Sequence, residues 1–438
     1  MLVRDLSFAG LACWVAIVVV TGWQIFGAAP IGISNNGDFS KVSGFYNLAP
    51  TVGWGVGESD FYLDEYSFDG RNVYHSGLIT SEHLFVWPAV KLSRLWFGKR
   101  SFNVRMVAAV KLIWFWAAAG FLIWGLSRAG NWMALGLVTI WLMDASTICY
   151  LPSFYMDAAA LLFAVSLGAS LLWWVQGWHW AVVPVCVSAV GMITSKSQHA
   201  PLAFVFAIAA LGVAWKIRRM RVHGLLVAAL FVVLGVWMIR STPRDYSAIP
   251  VFTLTFSRIA LSGDLLGLDD SYRKYIGMHA YSEGSPIEQR DFRDLLLSKV
   301  SLGTVAGWYA RHPGYVVGYL VEDWRRYAGI QPDAGLGWRR QVDGYAAQSQ
   351  AGGVTAWKFL RESTAPWGTA VGLFAPLLAW RKKCFWPVVL GVILAGAEFG
   401  ISSLADMLAT GRHLFLFQVL TDGLIVVLIS LCWERIRR

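Results

Sequence analysis

Ten apolar runs separated by connections of very unequal length constrain this 438-residue chain more than any other feature. They fall at about 8–28, 102–126, 132–149, 155–175, 179–195, 200–215, 224–240, 367–380, 385–403 and 412–433. The first, Phe8 to Ala28, carries no charge and is long enough to cross a bilayer at about 1.5 Å per residue. In hydrocarbon every backbone N–H and C=O must find its partner inside the protein, so such runs become helices. The sequence therefore predicts an all-α polytopic membrane protein, a single integral membrane domain over 1–438 with about 10 transmembrane helices. Only 15% of the residues are charged, against about a quarter in soluble domains.

The formal charge of +10 is distributed as a topology signal. With Met1–Leu6 inside, the cytoplasmic connections hold Arg128, the cluster Lys216-Ile217-Arg218-Arg219-Met220-Arg221, the run Arg381-Lys382-Lys383 and the tail Arg435, Arg437, Arg438. That agrees with the positive-inside rule. Both termini are then cytoplasmic and the basic excess needs no nucleic acid to explain it. The large loops 29–101 and 241–366 face outward, into the periplasm if the membrane is a bacterial inner membrane. The first run lacks a small-x-small cleavage site and is expected to remain as a helix. Cys13, Cys149, Cys186, Cys384 and Cys432 are scattered in or beside apolar runs without metal-ligand spacing, and read as small apolar residues. No internal repeat is evident, which argues against an inverted-repeat transporter.

Within the outer loops, Ser81–Leu92 has the spacing of an amphipathic helix lying on the bilayer surface, extending to about residue 97. Asp291–Val300, Leu302–Trp308 and Tyr315–Tyr327 have similar patterns, and the Gly/Ala/Gln stretch 335–353 reads as a mobile flap.

Polar residues at the outer rim are the candidate chemistry. Asp38 follows the turn-forming pair Asn36-Gly37 just beyond the first span. Asp144 and Asp157 flank the external turn Tyr150-Leu151-Pro152-Ser153. Lys196, in Thr194-Ser195-Lys196-Ser197-Gln198-His199, and Arg412, in Gly411-Arg412-His413, stand outside against the positive-inside rule. A phosphate at the outer leaflet would supply the reason; the alternative is a pair of structural ion pairs, Lys196 with Asp157 and Arg412 with Asp406. The span interiors read as clean, whereas a transporter should carry charge at the midplane. His199 and His413 lie beside the proposed anion site. His312 in Arg311-His312-Pro313 reads as a helix terminator, and His75, His83 and His279 as exposed loop residues.

Asn35-Asn36-Gly37-Asp38, Ser153-Phe154-Tyr155-Met156-Asp157, Trp308-Tyr309-Ala310-Arg311-His312-Pro313 and Gly411-Arg412-His413, in this order and on one side, resemble the GT-C glycosyltransferases. Among these they are similar to bacterial hexosyltransferases that decorate surface glycans. The resemblance implies transfer of a sugar from a polyprenyl-phosphate donor to an acceptor hydroxyl, with inversion and with no cofactor or metal. Asp38 would be the general base and Asp157 a second catalytic acid. Lys196, Arg412, His413 and His199 would hold the donor phosphate, and Asn36, Tyr155, Gln198 and Asp144 would line the substrate. Many GT-C members have two adjacent acids in the first loop, so Asp64-Glu65 is an alternative source of the base. The acceptor is a glycan, a lipid or a protein such as a pilin. A lipid-linked sugar transporter or flippase, or an O-antigen polymerase or ligase, is the competing reading.

Overall fold

The computed structural model describes residues 7–27, 31–33, 39–51, 65–68, 77–98, 101–216, 220–280, 282–329, 353–405 and 410–436. Asn36, Asp38, Asp64, His75, Asp406 and all but Gly353 of the expected flap lie outside the described residues.

The protein is an all-α polytopic membrane protein. Among the described residues seven helices of 19–24 residues are apolar enough to span: Phe8–Phe26 (α1), Arg105–Arg128, Asp157–Val175, Ser197–Lys216, Arg221–Ser241, Phe385–Ala405 and Phe415–Ile436. Three shorter apolar helices, Trp132–Met143, His179–Ile193 and Trp367–Ala379, fall on the remaining three runs. The 12 residues of Trp132–Met143 rise only about 18 Å. That helix ends where Asp144 caps a new short helix, Ala145–Ile148, while Trp367–Ala379 is interrupted at Phe374. Helices pack closely where side chains are small: a Cβ on Gly235 would meet the Ala203 Cβ at 2.6 Å, and Gly191 lies against the Phe163 ring. Without a hydrophobic force between helices in lipid, such close approach supplies the packing.

The amphipathic helix His83–Phe97 (α2) forms as expected. It buries Phe85, Val86, Ala89 and Val90 and exposes Leu84, Trp87, Leu95 and Trp96. His83 is not a free loop residue: it opens this helix, half-buried, with Nδ1 2.9 Å from the Tyr46 hydroxyl. A three-stranded antiparallel sheet, Ala49–Pro50, Glu65–Ser67 and Phe102–Asn103, closes the first loop. Alternation turns Tyr66 into the core and leaves Glu65 exposed. The long loop builds its own core from residues between Ala248 and Tyr309, with helices Arg290–Lys299, Leu302–Arg311 and Pro313–Tyr327 near the expected places. His312 separates the last two, its Nδ1 2.9 Å from the Trp308 carbonyl.

The span interiors are not clean, contrary to the sequence expectation. Lys111, Glu398 and Asp422 are all buried within spanning helices. Each sits six or seven residues from the loop-bearing end of its helix, about 10 Å deep, and each meets a buried ionisable side chain. Lys111 Nζ lies 2.5 Å from Glu82 Oε1, Asp422 Oδ1 2.5 Å from Arg361 Nε, and Glu398 Oε1 3.3 Å from His199 Nε2. The Glu82 and Asp422 contacts are close in distance without hydrogen-bond alignment. Burial pushes Glu82 up to about 7 against the pull of Lys111.

Asp144 binds the segment after the long loop to the bundle. Its Oδ1 accepts from the Ser146 N–H at 3.0 Å, and Oδ2 from the Trp357 and Lys358 N–H groups at 2.8 and 3.1 Å. One carboxylate thus caps two helices, Ala145–Ile148 and Ala356–Thr364. Asp144→Ala is expected to lower stability by roughly 1–2 kcal/mol for each cap lost, read as a lower midpoint of thermal unfolding in detergent; an unchanged midpoint would refute the double-cap role.

Candidate functional site

Three pieces of chain remote in sequence meet at the loop-bearing end of the bundle. Asp157 opens the helix Asp157–Val175, where the positive end of the helix dipole favours a carboxylate. Lys196 sits in extended backbone between two helices, which turns its side chain back toward Asp157. Nζ lies 3.5 Å from Asp157 Oδ1 and 3.0 Å from His413 Nδ1. His413 ends the short helix Thr410–His413, and its Nε2 is 3.3 Å from Arg412 Nη2. Asp157, Lys196 and His413 are each under a tenth exposed, whereas Arg412 is half-buried.

Aromatic rings floor this cluster. The Arg412 guanidinium carbon lies 5.1 Å from the Tyr155 ring centroid, a cation–π distance. Tyr155 meets Phe39 edge-on at 4.7 Å, and Phe39 meets Phe154 at 5.7 Å. Tyr150 packs on Phe415 at 4.3 Å and on Tyr155 at 5.6 Å. Burial, with the nearby Asp157 charge, pushes the Tyr150 phenol well above its usual range. Lys111 donates to the Ser153 carbonyl at 2.8 Å, fixing the turn that carries Phe154 and Tyr155.

Behind the cations, Gln198 Nε2 donates toward Glu398 Oε1, Ser402 Oγ and the His413 carbonyl, and His199 Nδ1 pairs with Ser195 Oγ at 2.8 Å. The long loop docks next to this layer: Arg258 Nη1 donates to the Ser403 carbonyl at 2.5 Å and Nη2 to Asp323 Oδ2 at 3.2 Å. Two surface hollows of about 210 and 510 Å³, one lined by Asp269, Tyr272 and Phe292 and the other by Gly314, Tyr315 and Tyr319, lie on the long loop away from the cluster.

Of the residues singled out in the sequence, Asp157, Lys196, Arg412, His413, Gln198 and Tyr155 converge here, with His199 one layer behind. Asp144 lies apart, engaged in capping. Glu398, Glu82, Lys111 and Asp422 escaped the sequence reading. The signal was a single ionisable residue inside an apolar run, as in Ala108-Ala109-Val110-Lys111-Leu112 and Ala395-Gly396-Ala397-Glu398-Phe399.

These features define a polytopic α-helical membrane domain whose buried polar cluster, rich in cations, lies at the end bearing the long loops. The chain belongs to the family described as the YfdI N-terminal transmembrane domain, whose profile matches residues 2–437. No curated protein matches it in sequence. A solved structure, the archaeal oligosaccharyltransferase AglB from Archaeoglobus fulgidus in complex with an inhibitory peptide and a dolichol-phosphate, is similar at 10% identity and a TM-score of 0.43. The match covers 98% of this chain and 51% of that one, so the chain spans about half the length of that structure.

Proposed function

We propose that this domain is a GT-C-type glycosyltransferase that moves a sugar from a polyprenyl-phosphate donor to an acceptor hydroxyl on the loop-bearing side. The observation that carries the reading is the stack Phe39–Tyr155–Arg412. Phe39 follows Asp38 in the chain, its ring lies 4.7 Å from Tyr155, and Tyr155 lies 5.1 Å from the Arg412 guanidinium. Phe39, the residue after the proposed base in the sequence, thereby packs beside the proposed phosphate cations.

In this mechanism Asp38 takes the proton of the acceptor hydroxyl. The oxygen forms a bond to the anomeric carbon as the bond from that carbon to the phosphate oxygen breaks, inverting the centre. The electron pair leaves with the polyprenyl phosphate, whose developing charge meets Lys196 and Arg412. Asp157 holds Lys196 in place. By the positive-inside rule the loop end faces away from the cytoplasm, which in a bacterium would be the periplasm, where a surface glycan, lipid or protein acceptor would meet the donor from water.

Lys196→Ala and Arg412→Ala are each expected to weaken binding of polyprenyl monophosphate by about 1.5–3 kcal/mol, the worth of a charge-assisted contact. Titration of the purified protein in detergent measures this. Unchanged affinity with a collapse of thermal stability would make Lys196 and Asp157 a structural ion pair only.

The buried charges within the spans are also what a transporter of lipid-linked sugars would contain. They cluster in the loop-side half of the bundle and each meets a buried ionisable partner, unlike a midplane transport site. Proteoliposomes loaded with a fluorescent lipid-linked sugar separate the readings, because translocation without sugar transfer would favour the transporter.

A further inference from the structure

Glu398 has no exposed surface and sits in the middle of a hydrogen-bond layer that the chemistry above does not use. Gln198 Nε2 lies 2.9 Å from Glu398 Oε1, 2.7 Å from Ser402 Oγ and 3.1 Å from the His413 carbonyl oxygen. All three neighbours are oxygens, so the NH₂ end of the amide belongs there. Turning the amide over would set its carbonyl against a carboxylate and a peptide carbonyl. The other end of Gln198 is fixed as a consequence, and its Oε1 faces His413 Nδ1 at 2.7 Å. An oxygen acceptor at that distance requires a hydrogen on Nδ1.

Lys196 Nζ makes the opposite demand on the same atom. It lies 3.0 Å from His413 Nδ1, and an ammonium only donates. One nitrogen does not satisfy both, and the amide locked by three oxygens decides the outcome. With its proton on Nδ1, a neutral His413 leaves a lone pair on Nε2, 3.3 Å from Arg412 Nη2, which donates to it. A doubly protonated ring would instead set an N–H against the guanidinium on one side with the ammonium close on the other.

His199 lies behind the carboxylate. Ser195 Oγ spends its proton on the Met192 carbonyl at 2.7 Å, so it accepts from His199 Nδ1 at 2.8 Å. His199 Nε2 then lies 3.3 Å from Glu398 Oε1, close in distance without hydrogen-bond alignment. Ser402 Oγ, one turn along from Glu398, lies 3.2 Å from the same oxygen.

We infer that Glu398 is a positioning residue. Through Gln198 it holds His413 as the Nδ1–H tautomer, so that His413 accepts from Arg412 and leaves the Lys196 ammonium directed at Asp157 and at an incoming anion. Only the last clause rests on the phosphate-binding reading; the tautomer does not.

The test is long-range ¹H–¹⁵N correlation of the full-length protein labelled with ¹⁵N-histidine in detergent, with the His413 signal assigned by its loss in His413→Asn. The expected result is a wild-type His413 with its hydrogen on Nδ1, lost to the Nε2–H form in Glu398→Leu and in Gln198→Leu. Affinity for a short-chain prenyl monophosphate should fall about tenfold in the same variants, the equivalent of one misplaced charge-assisted contact. Gln198 sits in the single turn Ser197–His199 that opens its span, so Gln198→Leu carries the test if Glu398→Leu does not fold. A wild-type ring with its hydrogen on Nε2, or an Nδ1–H form that persists in Gln198→Leu, overturns the inference. A tautomer switch with unchanged phosphate affinity would support the positioning role and overturn the phosphate reading.

Discussion

Asp38→Asn is expected to lower sugar transfer by about 10²–10⁴, the usual contribution of a general base, while leaving the fold and donor binding intact. The substitution keeps the size and the hydrogen-bonding shape of the side chain and removes only its ability to take a proton. In the proposed mechanism donor affinity depends on Lys196 and Arg412, so the loss should fall on turnover and not on binding of polyprenyl phosphate. The assay uses membranes containing the full-length protein, a radiolabelled polyprenyl-phosphate sugar and the native acceptor, with phosphate binding measured in parallel. Near-normal turnover would move the base elsewhere. Among the alternatives read from the sequence, Glu65 is exposed on a short strand and Asp157 already faces Lys196 at 3.5 Å.

The second large effect concerns stability. Arg361→Met is expected to destabilise the protein by roughly 3–5 kcal/mol, because it leaves the buried Asp422 without its partner charge. Arg361 is 1% exposed, its Nε lies 2.5 Å from Asp422 Oδ1, and its Nη2 reaches Thr421 Oγ1 at 3.3 Å. This pair fastens the helix Ala356–Thr364 to the last span, one turn beyond the residues capped by Asp144. The double variant Arg361→Met/Asp422→Leu should recover most of the loss, since an apolar pair of similar volume replaces a buried ion pair at little cost. Thermal unfolding of the single and double variants measures both values. A double variant no more stable than Arg361→Met would mean that the helix, and not the charge, was the source of the effect.

The spans were legible because lipid imposes a simple rule: a helix with no water beside it must be apolar along its whole length. That rule located ten runs, and helices occupy all ten. It did not show that the third stops after 12 residues, because length in sequence does not reveal where Asp144 or Phe374 interrupts a helix. The cluster of Asp157, Lys196, Arg412 and His413 was legible from charges placed against the positive-inside rule. Its supporting layer was not. Glu398 meets Gln198 across 200 residues and Lys111 meets Glu82 between a span and a surface helix. Pairing of that kind depends on which helix faces which, and helical spacing alone does not encode it. Asp144 illustrates the converse. At the rim it read as a substrate contact, but the backbone of two helices engages both of its oxygens.

Whether the cations at the loop-bearing end hold a lipid phosphate is decided by an experimental structure of the full-length protein with polyprenyl monophosphate. The phosphate is expected within about 3 Å of Lys196 Nζ and the Arg412 guanidinium, the range of charge-assisted hydrogen bonds, with the lipid tail leaving sideways between spans. A phosphate bound elsewhere, with Lys196 and Arg412 untouched at saturating lipid, would contradict the phosphate reading.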